Sequence, residues 1–310
     1  MTTMTKIAII GAGFVGSTVA YVLCLRKIVD EIALIDIKPG LAEGKALDIS
    51  QSISAFGQPV TVQGSTDFSL MKGASIVVIT AGVPRQPHQR REDTLHINAK
   101  IMRDVITEVK RYAPKSILIV ISNPLDAMTW LAAKESGFEK QRVFGMAGTL
   151  DTARYKAFVA ERLKVSPASV EAVVLGGHGD LMVPLSRLAT VNDKPLQSLL
   201  AEKELRKIEL RTRHGGAEIV NMMGQSAYYA PGAAVYEVVE ALVKGSRKPV
   251  PVSAWLEGEY GLTGLFLGVP CRLGKDGVEK VVELPLNKEE LDALHESARH
   301  VTSLIAELKE

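Results

Sequence analysis

Few residues of this chain could build a covalent or metal-bound framework. Its 310 residues include only two cysteines, Cys24 and Cys271, which lie far apart in the sequence. A disulfide scaffold or a zinc cluster needs more cysteines at closer spacing, and no H-E-x-x-H motif is present. We therefore predict a protein without bound metal, held together by an apolar core.

Strong charge of one sign and long apolar runs are missing as well. The net charge at pH 7 is +2, and no basic tract interleaved with aromatic residues occurs, so we expect no nucleic-acid partner. No apolar run approaches the length of a membrane span, and we find no low-complexity segment or solenoid repeat. The first apolar run follows the N-terminus almost directly, which leads us to expect no targeting peptide and a cytoplasmic location.

The residues that are present suit a globular chain of two units. Hydrophobic residues make up 46% of the sequence and charged residues 23%. Short apolar runs alternate with helical segments in the first half, and this alternation loosens after about Leu163. We predict an α/β fold, with a doubly wound parallel sheet of the Rossmann type followed by an α+β substrate domain. The expected division is a nucleotide-binding domain at residues 1–146 and a substrate domain at residues 147–310.

The segment from Lys6 to Asp36 predicts a dinucleotide-binding βαβ unit. A β-branched run, Ile7–Ile10, is followed by G-x-G-x-x-G, a helical run, a second apolar run and then an acid. The glycines allow a tight turn, a close approach to a pyrophosphate and close helix–strand packing, and the helix start favours anions. Asp36 can accept hydrogen bonds from a ribose and would repel a 2′-phosphate, which favours NAD over NADP. The plainer interpretation is a glycine-rich turn in an unrelated α/β unit. The glycines are Gly11, Gly13 and Gly16.

Two later strands also end in residues suited to ligand binding. The predicted strand Ile76–Thr80 leads into Ala81-Gly82-Val83-Pro84, and the predicted strand Ser116–Ile121 leads into Ser122-Asn123-Pro124. Ligands of open α/β sheets bind beyond the carboxyl ends of the strands, so the exit after Ile76–Thr80 should face the cofactor. At the second exit the Asn123 amide could donate to a substrate oxygen, although Asn-Pro alone is only a turn signal. Residues 85–91 contain three arginines, which indicates either a solvated basic loop or a lid that carries cations to an anionic substrate.

The second half of the chain contains a candidate proton donor and acceptor. His178 lies among glycines in Gly177-His178-Gly179, where the ring can stay accessible. Asp151 and Arg154 lie three residues apart on a predicted helix and therefore share a face. An aspartate that fixes the imidazole tautomer would let His178 transfer protons near neutral pH. The plainer alternatives are an exposed or structural histidine and a weak surface ion pair.

Periodicity also predicts the elements of this half. We expect an antiparallel sheet that includes strands at Val170–Leu175 and Met182–Arg187. We also expect a helix at Glu202–Met223 interrupted by Gly215-Gly216, and a helix at Ser226–Lys244 bent at Pro231-Gly232. The remaining predicted elements are strands at Pro249–Glu257, Leu265–Pro270 and Val278–Leu284, and a final helix that starts at Asn287.

A set of motifs in this order resembles one family over nearly the whole chain. The motifs are GAGFVG with Asp36, AGVPR, SNPLDA, GTLDTAR, GGHGD, SAYYAP, GVP and ELPLN. The sequence resembles the lactate/malate dehydrogenase superfamily, and within it the NAD-dependent malate dehydrogenases of the lactate-dehydrogenase-like type. The resemblance implies NAD as cofactor and hydride transfer between it and a small 2-hydroxy acid.

The resemblance also assigns roles to residues. His178 would donate and accept the proton, Asp151 would orient it, and Arg91 would polarise the reacting carbonyl. Arg154 would pair with the first carboxylate of the substrate and Arg85 with a second one. The implied substrate-binding residues are Arg85, Arg91, Asn123, Arg154 and Ser226. The implied cofactor-binding residues are Gly11, Gly13, Phe14, Val15, Gly16, Asp36, Thr80, Ala81, Gly82, Asn98, Ile121 and Asn123.

By this resemblance the chain interconverts (S)-malate and oxaloacetate. Lactate and pyruvate lack the carboxylate that Arg85 would bind, and lactate enzymes of the family usually carry glutamine there. The family's lid glycine is replaced here by His88, so a lactate dehydrogenase or an enzyme that accepts both acids stays an alternative. A non-catalytic nucleotide sensor is a further one, although the residues for catalysis are all present. Relatives imply self-association as a homotetramer or homodimer, and a place in the tricarboxylic acid cycle.

Overall fold

The computed structural model describes residues 5–83, 91–246 and 248–309, with the backbone alone at residues 91–93. No helix within these ranges is both long enough and apolar enough to cross a membrane. The strands are β1 (Lys6–Ile10), β2 (Glu31–Ile35), β3 (Thr61–Ser65), β4 (Ile76–Ile79), β5 (Ile117–Val120), β6 (Val143–Gly145), β7 (Val170–Glu171), β8 (Val174–Leu175), β9 (Val183–Pro184), β10 (Thr190–Val191), β11 (Lys194–Pro195), β12 (Val250–Glu257), β13 (Thr263–Gly274) and β14 (Gly277–Val281). The helices are α1 (Phe14–Leu25), α2 (Leu41–Ala55), α3 (Arg91–Tyr112), α4 (Leu125–Ser136), α5 (Gly148–Leu163), α6 (Glu202–Met223), α7 (Tyr229–Lys244) and α8 (Lys288–Glu307).

A nine-stranded sheet forms the centre of the molecule. Its order is β14-β13-β12-β6-β5-β4-β1-β2-β3, and the six strands from β3 to β6 run parallel. The order 3-2-1-4-5-6 is that of a Rossmann sheet, in which strands are added outward in one direction from β1 to β3 and in the other from β4 to β6, so that the switch in strand order lies between β1 and β4. The predicted parallel, doubly wound sheet is therefore confirmed.

The strands next to this reversal are buried along their whole length. Ile7–Ile10, Ile76–Ile79 and Ile117–Val120 are continuously apolar, and every one of their residues is buried. β-branched side chains suit such strands because they pack well on both faces of a pleated surface. Helices cover these faces, and the resulting apolar cluster extends from β1 to α8.

The same sheet continues into the second half of the chain. β12 lies antiparallel to β6, with Ser253 opposite Gly145, and β13 and β14 follow as antiparallel neighbours. A separate, smaller apolar cluster lies between α5 and α6 and includes Tyr155, Val159 and Ile208. The expected α+β arrangement of the second half is present, and its longest strands extend the Rossmann sheet.

Two strand predictions in this half were wrong in detail. Val170–Leu175 is divided into β7 and β8, which belong to different sheets, because β7 pairs with β10 and β8 with β9. Of Met182–Arg187, only Val183–Pro184 is a strand. Short apolar runs predict extended backbone, but pairing partners decide which residues join a ladder.

Two helix predictions were also wrong in detail. α6 is continuous through Gly215-Gly216, because the pair packs against another helix: a Cβ at Gly215 would stand 3.4 Å from Cδ of Arg154. α7 begins at Tyr229 rather than Ser226, so Pro231 lies in its first turn, where no N–H is required and no bend follows. The helix α4, which follows Asn123-Pro124, was not predicted.

The start of α8 offers a test of local stability. Asn287 accepts a hydrogen bond from the Glu290 amide at 2.9 Å, and the Glu290 carboxylate accepts one from the Asn287 amide. Because Asn287→Ala leaves a helix-start donor without its acceptor, we expect it to lower the free energy of unfolding by about 1 kcal/mol. Asn287→Asp should retain most of this stability in urea unfolding followed by circular dichroism. The exposed Glu296→Ala serves as a control expected to change stability by less than about 0.5 kcal/mol; equal losses would contradict a capping role.

Candidate active site

The carboxyl ends of the parallel strands lie along one edge of the main sheet. Ile10 is level with Ile35 on one side and Ile79 on the other, and Ile79 is level with Val120, which pairs with Gly145. The segments that leave this edge contain the glycine motif, Asp36, the exits after β4 and β5, and the start of α5. Most of the residues predicted as a site are therefore brought to one place.

The glycine motif forms a tight turn between β1 and α1. Gly11 has φ +103°, which disfavours other residues, and its amide donates to the Ile35 carbonyl at 2.7 Å. A Cβ at Gly16 would overlap the Gly11 carbonyl oxygen. Thr80 closes the turn from β4, since its hydroxyl donates to the carbonyls of Ile10 and Gly11 at 3.1 and 3.0 Å.

The turn fits a dinucleotide phosphate. No atom of the described chain lies within 4 Å of the place where a Cβ would stand at Gly13, and no side chain within the described ranges caps α1. The first amides of α1 and its positive dipole end are therefore available to an anion. Asp36 accepts hydrogen bonds from the amides of Ala12 at 2.7 Å and Lys38 at 2.9 Å, and so lies at the mouth of the turn.

An aromatic contact connects this turn to the second half of the chain. Phe14 is 58% exposed, and its ring stacks on Tyr228 with centroids 5.2 Å apart. Tyr228 belongs to the segment between α6 and α7 that also contains the exposed Ser226. The predicted residue Ser226 thus lies two positions from a side chain that contacts the glycine turn. The predicted residue Val15 lies in the first turn of α1 and is half-buried.

Asn98 joins the two strand exits. Its buried amide accepts from Val83 N–H at 2.7 Å and donates to the Asn123 carbonyl at 2.7 Å. Ser122 adds a second link, because its hydroxyl donates to the Ala81 carbonyl at 2.6 Å. Gly82 lies against the Asn98 amide and Ile121 is half-buried, whereas Asn123 is exposed. The predicted Arg85 and the side chain of Arg91 lie outside the described residues.

His178, Asp151 and Arg154 form one hydrogen-bonded group. Nδ1 of His178 lies 2.8 Å from Oδ2 of Asp151, and Nη1 of Arg154 donates to the other carboxylate oxygen at 3.2 Å. The Asp151 side chain is 3% exposed, that of Arg154 12% and that of His178 20%. The aspartate is therefore buried, whereas the histidine side chain keeps about a fifth of its surface exposed.

The pKa of His178 is set by two opposed effects. Burial on its own lowers this pKa, because a charged imidazole loses water. The negative charge of Asp151 and its hydrogen bond raise it, and the positive charge of Arg154 opposes them. The net result is a His178 pKa above its ordinary value of 6.5, which increases the protonated fraction near neutral pH.

Arg154 lies between this hydrogen-bonded group and the glycine pair of α6. Its buried Nε has no hydrogen-bond partner among the described residues. Gly215 and Gly216 of α6 lie against the Arg154 side chain, since a Cβ at either position would stand in ordinary van der Waals contact with it. A buried donor without a partner is costly, and such groups are more typical of functional sites than of a structural core.

Sequence reasoning missed one buried group next to this site. Asp126, within the motif SNPLDA, accepts a hydrogen bond from the His178 amide at 2.9 Å and from the Ser253 hydroxyl at 2.6 Å. An acid in the first turn of a helix after a strand exit is the only signal for it. Such an acid is usually solvent-exposed, so its burial could not be read from the sequence.

Comparison with known proteins agrees with these observations. The family model "lactate/malate dehydrogenase, NAD binding domain" matches residues 5–145. The model "lactate/malate dehydrogenase, alpha/beta C-terminal domain" matches residues 148–310. The chain is 47% identical to the malate dehydrogenase of Roseiflexus sp. (strain RS-1) over 98% of both chains.

Solved structures show the same similarity. The malate dehydrogenase of Salinibacter ruber superposes with a TM-score of 0.94 at 43% identity, over 98% of both chains. The lactate dehydrogenase of Cryptosporidium parvum, complexed with lactic acid and nicotinamide adenine dinucleotide, has a TM-score of 0.96 at 37% identity, over 100% of this chain and 99% of that one. With two family models that together span nearly its whole length, this chain belongs to the lactate/malate dehydrogenase family and carries that family's NAD-binding domain.

Proposed function

We propose that the protein interconverts (S)-malate and oxaloacetate with NAD as the hydride carrier. The observation that carries the proposal is the buried group of His178, Asp151 and Arg154, which combines a proton donor with an unsatisfied guanidinium. The resemblance to malate dehydrogenases over nearly the full chain supports the same substrate.

His178 is the proton donor and acceptor of this proposal. In oxaloacetate reduction it gives a proton to the oxygen on C2, and in malate oxidation it takes that proton back. Asp151 holds Nδ1 and stabilises the charged imidazole, so that the other ring nitrogen, Nε2, faces the substrate. The raised pKa of His178 supports the role, because an acid needs its proton at working pH.

The arginines bind the two carboxylates and the reacting oxygen. Arg154, whose guanidinium also donates to Asp151, pairs with the first carboxylate. Arg85 binds the second carboxylate, and Arg91 stabilises the charge that grows on the C2 oxygen, both assigned from the resemblance. Asn123 is exposed at the strand exit and holds the same oxygen or the carboxamide of the cofactor, while Ser226 completes the substrate side.

The cofactor would bind along the carboxyl edge of the sheet, where NAD supplies a hydride acceptor and its reduced form a donor. Gly11, Gly13, Gly16 and the first residues of α1, Phe14 and Val15, would hold the pyrophosphate. Asp36 would bind the adenosine ribose. The exits Thr80, Ala81, Gly82 and Ile121 would line the nicotinamide side, with Asn98 holding them in place. Residues 1–146 thus act as the cofactor domain and 147–310 as the substrate domain.

A lactate dehydrogenase is the second candidate. The structure of the Cryptosporidium parvum lactate dehydrogenase superposes with a TM-score of 0.96, so the backbone does not separate the two activities. The choice depends on the side chains around the end of the substrate that carries a second carboxylate in oxaloacetate and only a methyl group in pyruvate. Arg85 at that end favours the dicarboxylate.

We further propose that the enzyme is cytoplasmic, that it takes part in the tricarboxylic acid cycle, and that it self-associates as a homotetramer or homodimer. Family resemblance is its main support. Exposed apolar side chains on α2 and α6, such as Leu47 at 60% and Met222 at 72% exposure, provide surface that an assembly would bury.

The pH dependence of the reaction tests the His178–Asp151 pair. Reduction of oxaloacetate needs protonated His178, so its kcat/KM should fall as pH rises through the raised pKa, whereas malate oxidation should increase over the same range. Asp151→Asn removes the two largest effects that raise the His178 pKa and leaves the burial that lowers it, with Asp126 as the smaller remaining effect that raises it. We expect the decline to move to lower pH, with turnover reduced by roughly 10²-fold.

His178→Asn is the companion variant, measured in the same assay. It should nearly abolish turnover and leave NADH binding, followed by fluorescence, close to the parent value. An unshifted pH profile in Asp151→Asn, or near-parental turnover in His178→Asn, would remove the pair from the mechanism.

Asp36 should determine the choice of cofactor. Its carboxylate accepts hydrogen bonds from the ribose and repels a 2′-phosphate. Asp36→Ser should therefore lower the preference for NAD over NADP in kcat/KM, mainly because the lost ribose hydrogen bonds raise the KM for NAD. Asp30→Ser, which changes an acid just before β2, is the matched control and should leave the ratio unchanged. A parent enzyme that already uses NADPH as well as NADH contradicts this role.

Arg85 should decide between oxaloacetate and pyruvate. A desolvated carboxylate without its cation costs about 2–5 kcal/mol, which corresponds to roughly 30- to several-thousand-fold in selectivity. Arg85→Gln should therefore reduce kcat/KM for oxaloacetate strongly and raise it for pyruvate. Arg90→Ser is the control; if it loses the preference while Arg85→Gln keeps it, the specificity residue is Arg90.

A further inference from the structure

Three successive backbone amides fix the chain at the proposed proton donor, and each uses a different element. Gly176 N–H donates to the Gly268 carbonyl of β13 at 2.9 Å, and Gly177 N–H donates to the Ser297 hydroxyl of α8 at 2.8 Å. His178 N–H donates to the Asp126 carboxyl group of α4 at 2.9 Å. The histidine is therefore fixed at its main chain as well as at its ring.

Asp126, which makes the last of these contacts, is buried in the interior of the protein. The residue is 5% exposed, and its two oxygens have separate partners, the His178 amide on Oδ2 and the Ser253 hydroxyl on Oδ1. Ser253 is itself fully buried on β12, opposite Gly145. The serine therefore holds the carboxyl group in the orientation that receives the His178 amide.

Burying a carboxyl group at this position is unfavourable, because the ionised group loses its hydration. Burial raises the pKa of Asp126, with smaller opposing effects from Ser253 and His178. An apolar side chain would avoid that loss of hydration, but it would leave the His178 amide without an acceptor. Among the described residues, the titratable or charged groups that act on His178 are Asp151 and Arg154 from α5 and Asp126 from α4, and of these three Asp126 is the one that contacts its main chain.

We propose that Asp126 is a positioning residue of the reaction, which holds the main chain of His178 and so sets where the imidazole stands relative to the substrate. The inference rests on the proposed function for its catalytic consequence. The start of α4 would then serve both the substrate contact of Asn123 and the main-chain contact of Asp126, because these two residues are only three positions apart. The proposed substrate-binding residue Asn123 and the proposed proton donor His178 are thus held in a fixed relation to each other by α4.

Two substitutions of Asp126 separate positioning from charge. Asp126→Ala leaves the His178 amide unpaired, and because small misplacements of a catalytic group are costly we expect kcat to fall by about 100-fold. Asp126→Asn keeps an acceptor for His178 and gains a donor for Ser253, so its kcat should stay within about threefold of the parent. The NADH dissociation constant, measured by fluorescence titration, should be unchanged in both.

Hydrogen exchange measured by mass spectrometry gives a readout independent of activity. The peptide that contains residues 176–178 should exchange faster in Asp126→Ala than in the parent and the Asp126→Asn variant. If the parent lacks activity with oxaloacetate and pyruvate, the proposed function fails, and the exchange data still test the anchor.

Thr129→Val is the matched control, since Thr129 is equally buried in α4 and its hydroxyl donates only within the helix, to Leu125. It should leave kcat and the exchange of residues 176–178 unchanged. If Asp126→Ala does not fold, Ser253→Ala replaces it, because loss of the Oδ1 partner should lower kcat several-fold and speed the same exchange. The proposal is overturned if Asp126→Ala keeps parental kcat, if Asp126→Asn loses as much as Asp126→Ala, if Thr129→Val loses as much, or if Ser253→Ala changes neither quantity.

Discussion

The parallel alignment of β1, β2, β4 and β5 is the constraint on which the rest of this structure depends. These strands are apolar and almost entirely buried, so polar side chains can lie only where the strands end. Because parallel strands all end at the same edge, the glycine turn, Asp36 and Asn123 are collected there. The site is therefore a consequence of strand direction before it is a consequence of any single residue.

The site gathers ionisable groups that would each be unfavourable alone. Asp151 is buried, but it pairs with His178 on one oxygen and with Arg154 on the other. Arg154 keeps one donor that no described residue satisfies, and Asp126 is held by an amide and a hydroxyl. Buried ion pairs add little net stability because desolvation offsets their attraction, so an arrangement of this kind fits a functional requirement better than a structural one.

The second half of the chain depends on the first for its position. β12 extends the parallel sheet through a single registered pair with β6, and the loop at His178 is bound by α4, α8 and β13. The glycine pair of α6 lies against the Arg154 side chain. His178 and Arg154 are thus oriented by elements that are distant from them in sequence.

The sequence by itself determined the βαβ unit, the parallel sheet and the candidates Asp36, Asp151, Arg154 and His178. These features depend on local periodicity, glycine spacing and residue chemistry, which are all readable along one chain. Only the tertiary structure decided that α6 runs unbroken through its glycines, that Val170–Leu175 divides between two sheets, and that Asp126 is buried against His178. Those outcomes depend on which distant partner satisfies each backbone group or fills each gap, and a partner's position is a property of the folded chain.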